Sequence, residues 1–242
     1  LPVEEDFTRR LFIAMDAKGY GSADHLQQKD IQAALLLAAD TAALRSGLDR
    51  STWDKQPGGD GELAALPADM SGIEPKVVDD YPREFAAALS KHNHSLRPAM
   101  RLRVRMAIHY GVATPGPNGH VGQGPVVVSR LVDSAPVRAV LAVNDQIDFV
   151  VVLSRQVYTD VVLQRHTSLR PEHFRRVAVQ NKEFTEEAWV RAPGHEISEL
   201  SVDESGSAPV TPPASGDHLH ASVINKMDYV HAPNSVFGVS NP

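Results

Sequence analysis

Apolar residues along the chain come in short runs separated by polar punctuation, and the period of each run predicts an element. Arg9 to Met15 (RRLFIAM) is continuously apolar after its two arginines, which predicts a short strand buried on both faces and ended by Asp16. Lys18-Gly19-Tyr20-Gly21 reads as a turn, and Ser22 as the cap of a helix that runs through Leu44 and stops near Gly47. Pro57-Gly58-Gly59-Asp60-Gly61 predicts a tight hairpin, because Asp-Gly and Gly-Gly supply the positive φ such turns need, with Glu62 to Leu66 as the return strand. Val77 to Lys91 carries Phe85 and Leu89 at i, i+4 spacing and predicts a second helix. Met100 to His109 alternates basic and apolar residues, as a half-exposed strand does. Gly111 to Gly124, rich in Gly and Pro, reads as a loop. Val126 to Leu141 is expected to be helical and broken at Pro136; Phe149 to Leu153 reads as an apolar strand and Arg155 to Leu163 as a helix. Strands are expected near Val177 to Val179 and from Phe184 to Val190. This order, β-α-β-β-α-β with a further α-β unit, predicts an α+β, ferredoxin-like (βαββαβ) arrangement: an antiparallel sheet covered by helices on one face.

Composition narrows the setting. The chain has 242 residues, 42% of them hydrophobic, enough for one domain with a real core. Residues 1–195 read as that domain, 196–217 as a Ser-, Pro- and Gly-rich acidic linker, and 218–242 as a short C-terminal tail. There is no cysteine, which removes disulfides, thiolate metal sites and cysteine nucleophiles and fits a reducing, cytoplasmic location. No run of about 20 apolar residues spans a bilayer, and no signal-peptide pattern opens the chain, so no membrane association is expected. A net charge of -6 argues against a general nucleic-acid binder.

The candidate chemistry centres on two aspartates at strand ends. If the strand ending at Asp16 neighbours the hairpin holding Asp60, the carboxylates converge. Paired hard oxygen ligands suit Mg²⁺ or Mn²⁺ held jointly with substrate phosphates, and two such ions can activate a hydroxyl and neutralise a leaving pyrophosphate. The backbone amides of Ala17, Lys18, Gly19 and Tyr20 could cradle phosphate oxygens. Alternation sets Arg101, Arg103 and Arg105 on one side of their strand, which leaves two readings open, the lining of a phosphate cleft or a solvated face. His92 and His94 lie at a helix end, and His218 and His220 in the tail, without carboxylates at ligand spacing. No GxSxG elbow, Walker loop or dinucleotide GxGxxG is present.

Four segments, in order, resemble the class III adenylate and guanylate cyclases. Phe12 to Gly21 (FIAMDAKGYG) resembles their first metal motif and Gly58 to Leu63 (GGDGEL) their second. Arg105 to Gly111 (RMAIHYG) resembles their Arg-x-Gly-Ile-His-x-Gly strand, and Gly124 to Leu131 (GPVVVSRL) the helix that presents the transition-state Asn and Arg. The likeness covers roughly residues 8 to 190 and is nearest to actinobacterial cyclase-like domains and the pyrimidine cyclases of phage defence. It implies a class III cyclase fold and a homodimer with shared active sites. It also implies a reaction that turns a nucleoside triphosphate into a 3',5'-cyclic nucleotide and pyrophosphate on two Mg²⁺ or Mn²⁺ ions. By the same resemblance Asp16 and Asp60 are the metal ligands and Arg105 contacts the triphosphate. Arg130, from the other subunit, stabilises the transferring phosphoryl group. Lys182, or Gln180 nearly as well, matches the triphosphate lysine. An arginine fork suits a charge-rich phosphate transition state.

Some positions depart from the pattern. Val126 stands where the family has its transition-state Asn. The base-selecting pair falls at Gln56 and at Gly119 and His120, matching neither the adenine nor the guanine pair, and Gln56 could pair with a pyrimidine edge because an amide both donates and accepts. The hairpin also resembles the GGDEF turn of diguanylate cyclases. A non-catalytic, dimerising nucleotide-binding module is the alternative from another class, favoured by Val126. In the tail, Val223 to Ser240 (VINKMDYVHAPNSVFGVS) is β-prone and resembles short amyloid-like signalling motifs, through which a downstream effector could bind.

Overall fold

The computed structural model describes residues 8–68, 72–181, 184–196, 198 and 200. Lys182, His218, His220 and the β-prone tail lie outside the described residues.

The strands are β1 (Thr8–Ala17), β2 (Asp54–Pro57), β3 (Gly61–Ala65), β4 (Val104–Gly116), β5 (Gly119–Val121), β6 (Phe149–Ser154), β7 (Arg175–Asn181) and β8 (Phe184–Arg191). The helices are α1 (His25–Arg45), α2 (Tyr81–Asn93), α3 (Gln123–Val132), α4 (Ala135–Val143) and the short α5 (Arg155–Val157). A π-helical turn, Lys76–Asp80, leads into α2, and another, Tyr158–Leu163, continues α5. The sheet runs β2-β3-β1-β4-β6-β8-β7, with β5 folded back on β4. The expected α+β class holds in this mixed sheet. It is not wholly antiparallel, because β6 lies parallel to β4. Two parallel strands need a crossover, and α3 and α4 supply it.

That crossover also corrects the expectation of helices on one face only. Leu11, Ile13 and Met15 of β1 pack with Leu35 and Ala39 of α1 and with Phe85 and Leu89 of α2. Phe12 and Ala14, pointing the other way, pack with Val128 and Leu131 of α3 and Val140 and Leu141 of α4. A period of two thus feeds two cores from one strand, which is why β1 reads as continuously apolar.

Several local readings shift. The cap of α1 is Asp24, not Ser22: its carboxylate accepts from the amides of Leu26 and Gln27, while Gln27 reaches back to the Asp24 amide. Gly47 does end the helix, at φ 65. The stretch expected as a loop from Gly111 is strand as far as Gly116, paired through Thr8↔Ala113 with β1 and through Gly116↔Gly119 with β5. Its Gly and Pro serve a tight hairpin with Gly119 at φ 96. The helix expected from Val126 begins at Gln123, and the break falls at Asp133 and Ser134, so that Pro136 sits in the first turn of α4 where its missing N–H costs nothing.

His109 on β4 is half-buried, and its loss of solvent together with the charge of Arg9 lowers its pKa to about 4. Its unfolded value is about 6.5, so between those limits the unfolded chain binds a proton that the folded one refuses. Stability is therefore expected to fall as pH drops from about 6.5 to about 4. Urea unfolding of His109→Gln should show a shallower pH slope across this window; an unchanged slope would contradict it.

Candidate active site

Asp16 sits near the end of β1 between two neighbours. On one side it faces Gly61 of β3, and on the other Arg105 of β4. The hairpin joining β2 to β3 is closed by the Gly58 amide donating to the Gly61 carbonyl at 2.8 Å. The Ala17 amide donates to the Asp60 carbonyl at 2.7 Å, which ties the turn to the end of β1. Asp60 is exposed, and its charge is felt at Asp16. The strands approach so closely that a Cβ on Gly61 would lie 1.9 Å from the Met15 carbonyl oxygen. Strand pairing and a glycine therefore fasten the hairpin that bears Asp60 to the end of β1 at Asp16.

Burial raises the Asp16 pKa, and the charges of Asp60 and Asp133 push the same way, while a hydrogen bond and the charge of Arg105 oppose them. The Arg105 guanidinium donates directly to Asp16 Oδ1. Two side chains missing from the sequence reading hold the hairpin. Buried Arg50 donates to Glu62 at 2.7 Å and to Asp40 at 2.6 Å, linking β3 to α1. Gln32 of α1 donates to the Tyr20 hydroxyl at 2.9 Å and to the Gly59 carbonyl at 2.8 Å. Both contacts join residues far apart in sequence, so no local pattern announces them.

The cradle after β1 is smaller than expected. The Ala17 and Lys18 amides are already used, the latter on the Arg103 carbonyl at 2.8 Å, which leaves those of Gly19 and Tyr20 as candidates. The Lys18 ammonium donates to the Leu141 carbonyl of α4 at 2.6 Å, and its pKa is lowered by burial and then by Arg103. Arg101 and Arg103 do not line a shared cleft with Arg105. Arg101 is fastened to Asp148, and Arg103 donates to the carbonyls of Ile147 and Asn144 just beyond α4. They satisfy loop oxygens rather than a ligand.

Gln56 on β2 does meet the two positions paired with it in sequence. Its Nε2 lies 3.3 Å from His120 Nδ1, and its amide lies against Gly119, where a Cβ would come within 2.1 Å. The buried His120 ring has its Nε2 3.5 Å from an Asp54 carboxylate oxygen. Where the ring carries its proton on Nε2, on the side of Asp54, Nδ1 accepts from the Gln56 amide.

Among the described residues no group of three or more His, Cys, Asp or Glu side chains is poised to hold a metal, and no helix is long and apolar enough to cross a membrane. Two neighbouring carboxylates, a part-buried Asp16 that feels the charge of an exposed Asp60, still fit a hard divalent cation whose remaining ligands come from phosphate and water.

No protein-family model matches the sequence, and no curated protein matches it. Solved structures do. The guanylyl cyclase Cya2 superimposes with a TM-score of 0.56 at 13% identity, covering 83% of this chain and 98% of that one. An adenylate/guanylate cyclase/hydrolase from Silicibacter pomeroyi gives 0.53 at 17% identity, covering 78% and 98%. The adenylyl cyclase CyaB from P. aeruginosa gives 0.51 at 15%, covering 80% and 98%. The chain has the nucleotidyl cyclase fold. In that fold α3, following the β4–β5 hairpin, carries Arg130 half-buried with its guanidinium 5.6 Å from the centre of the Phe184 ring. Val126, one turn earlier, is 40% exposed. Gln180 is exposed on β7.

Proposed function

We propose that the chain is a nucleotidyl cyclase working as a homodimer, with Asp16 and Asp60 as the ligands of two Mg²⁺ or Mn²⁺ ions. The observation that supports this is the fastening of the Asp60 hairpin to the end of β1 at Asp16 in a cyclase-fold sheet, with Gln56 of β2 meeting His120 of β5. Bound divalent cations would make the ribose 3'-hydroxyl a better nucleophile and neutralise the leaving pyrophosphate. The amides of Gly19 and Tyr20, with Arg105 and Lys182, bind the triphosphate. The 3'-oxygen attacks the α-phosphorus, the bond from that phosphorus to the β-phosphate oxygen breaks, and the hydroxyl proton leaves to solvent. Arg130 of the second subunit steadies the charge that develops on the equatorial oxygens. The base is read by Gln56 and His120, which stand where by resemblance the family carries its purine-selecting residues and match neither purine pair, and we assign a pyrimidine, UTP or CTP. A cyclic pyrimidine nucleotide would serve as a second messenger in antiviral signalling.

Shared sites have a distinctive consequence. Asp16→Ala and Arg130→Ala should each be inactive as homodimers. Mixed and allowed to exchange, half of the dimers pair one of each, and each such dimer regains one intact site, so about a quarter of wild-type cyclic nucleotide output should return. A mixture as inactive as its components, beside an active wild type, would refute the shared site.

The exposed Val126 supports a second reading, a dimerising nucleotide-binding module without turnover. In that case Asp60→Ala would change no product, and association would persist.

A further inference from the structure

Arg105 is 9% exposed on the central strand, and its guanidinium meets two carboxylates. It donates to Asp16, and its Nη1 lies 3.9 Å from Asp133 Oδ1. Its Nε is shielded from solvent and has no hydrogen-bond partner among the described residues. Asp133 is the residue that ends α3, and it also holds Arg138 at 3.0 Å. One cation thus balances the buried end of β1 and the end of the helix that bears Arg130.

A guanidinium does not give up its proton to make way for a metal. A divalent cation on Asp16 would take the carboxylate that Arg105 now uses and would leave the buried guanidinium beside a like charge. That arrangement is costly unless a new anion arrives for the arginine. A planar fork with five donors is suited to phosphate oxygens.

We propose that Arg105 is the resident counter-ion of Asp16, shared with Asp133, so that Asp16 takes a divalent cation well only when a polyphosphate draws the guanidinium away. This rests on the cyclase reading of Asp16 and adds that metal and triphosphate binding are energetically coupled through one side chain. Coupling of this kind is reciprocal, and the part carried by Arg105 is a cost on metal binding that exists before any triphosphate arrives, so that cost is read with the metal alone. Because Asp133 ends α3, the same exchange reaches the helix that serves the partner's site.

The test is calorimetric titration of the full chain with Mn²⁺ in the absence of any nucleotide. Arg105→Gln is expected to bind Mn²⁺ roughly tenfold more tightly than wild type, since the competing buried cation is gone. Asp133→Asn, at a half-exposed position that should not disturb folding, leaves the guanidinium to Asp16 alone and is expected to bind Mn²⁺ more weakly than wild type. It decides the matter if Arg105→Gln fails to fold. Equal binding by wild type and these variants, with binding still lost in Asp16→Asn, would overturn the counter-ion role and leave the cyclase reading standing. Mn²⁺ binding that survives Asp16→Asn unchanged would remove Asp16 as a metal ligand, and both would fall.

Discussion

Asp60→Ala is expected to lower cyclic nucleotide formation by at least about 10³-fold, roughly 4 kcal/mol of transition-state stabilisation, while the protein melts close to wild type. The two halves of that expectation come from different atoms. The carboxylate is exposed and is needed for cation binding, so its loss strikes turnover. The hydrogen bond that fastens the hairpin to β1 uses the Asp60 backbone carbonyl, which alanine keeps. Removing the carboxylate also takes away one of the charges that oppose ionisation of Asp16. The fold has nothing to lose from the change. A variant that lost activity only by unfolding would point to a structural role for the turn.

Gly61→Ala should show the opposite pattern, with a large loss of stability. Its Cβ would stand 1.9 Å from the Met15 carbonyl oxygen, 2.9 Å from the Met15 carbonyl carbon and 3.2 Å from the Asp16 Cα. All three are backbone atoms in paired strands, so relief requires β3 to move off β1. We expect a cost of about 3 to 4 kcal/mol, or about 10 °C in melting temperature for a domain of this size. Activity should fall as well, because the displacement opens at Asp16. Gly21→Ala is the control: nothing lies within 4 Å of its would-be Cβ, and its φ is not positive, so it should melt like wild type. If Gly61→Ala melted like Gly21→Ala, the close approach of β1 and β3 would not exist in solution.

Much of this corner was legible in the sequence because its signals are local. An apolar run ended by Asp16 and a Gly-Gly-Asp-Gly turn each act within a few residues, although the turn does not use the expected positive φ at any of Gly58, Gly59, Asp60 or Gly61; what it needs is the missing side chain of Gly61, which lets β3 approach β1. That the two strands are neighbours was only a condition in the sequence, and the antiparallel pairing of β1 with β3 meets it. The chain was less legible where composition pointed two ways. Gly111 to Gly124 was rich in turn-formers, yet β4 runs on through Gly111 to Gly116, pairing with β1 as far as Ala113 and then with β5, because a hairpin needs those same turn-formers. The alternation of Arg101, Arg103 and Arg105 implied a common role, but Arg101 and Arg103 end together on the loop before β6, whereas Arg105 ends on Asp16. Helices on both faces could not be told from one apolar strand, since a strand buried on two sides reads alike whichever elements cover it. Gln32 and Arg50 act across tertiary contacts, and nothing in their neighbourhoods marks them.

The most direct measurement of the proposed chemistry is mass spectrometry of the products formed from ATP, GTP, CTP and UTP with Mn²⁺, with Asp60→Ala alongside. A single 3',5'-cyclic pyrimidine nucleotide with an equal yield of pyrophosphate, absent from the variant, is the expected result. No cyclic product from any of the four at high concentrations of dimeric protein, or the same product from Asp60→Ala, would contradict a cyclase built on Asp16 and Asp60.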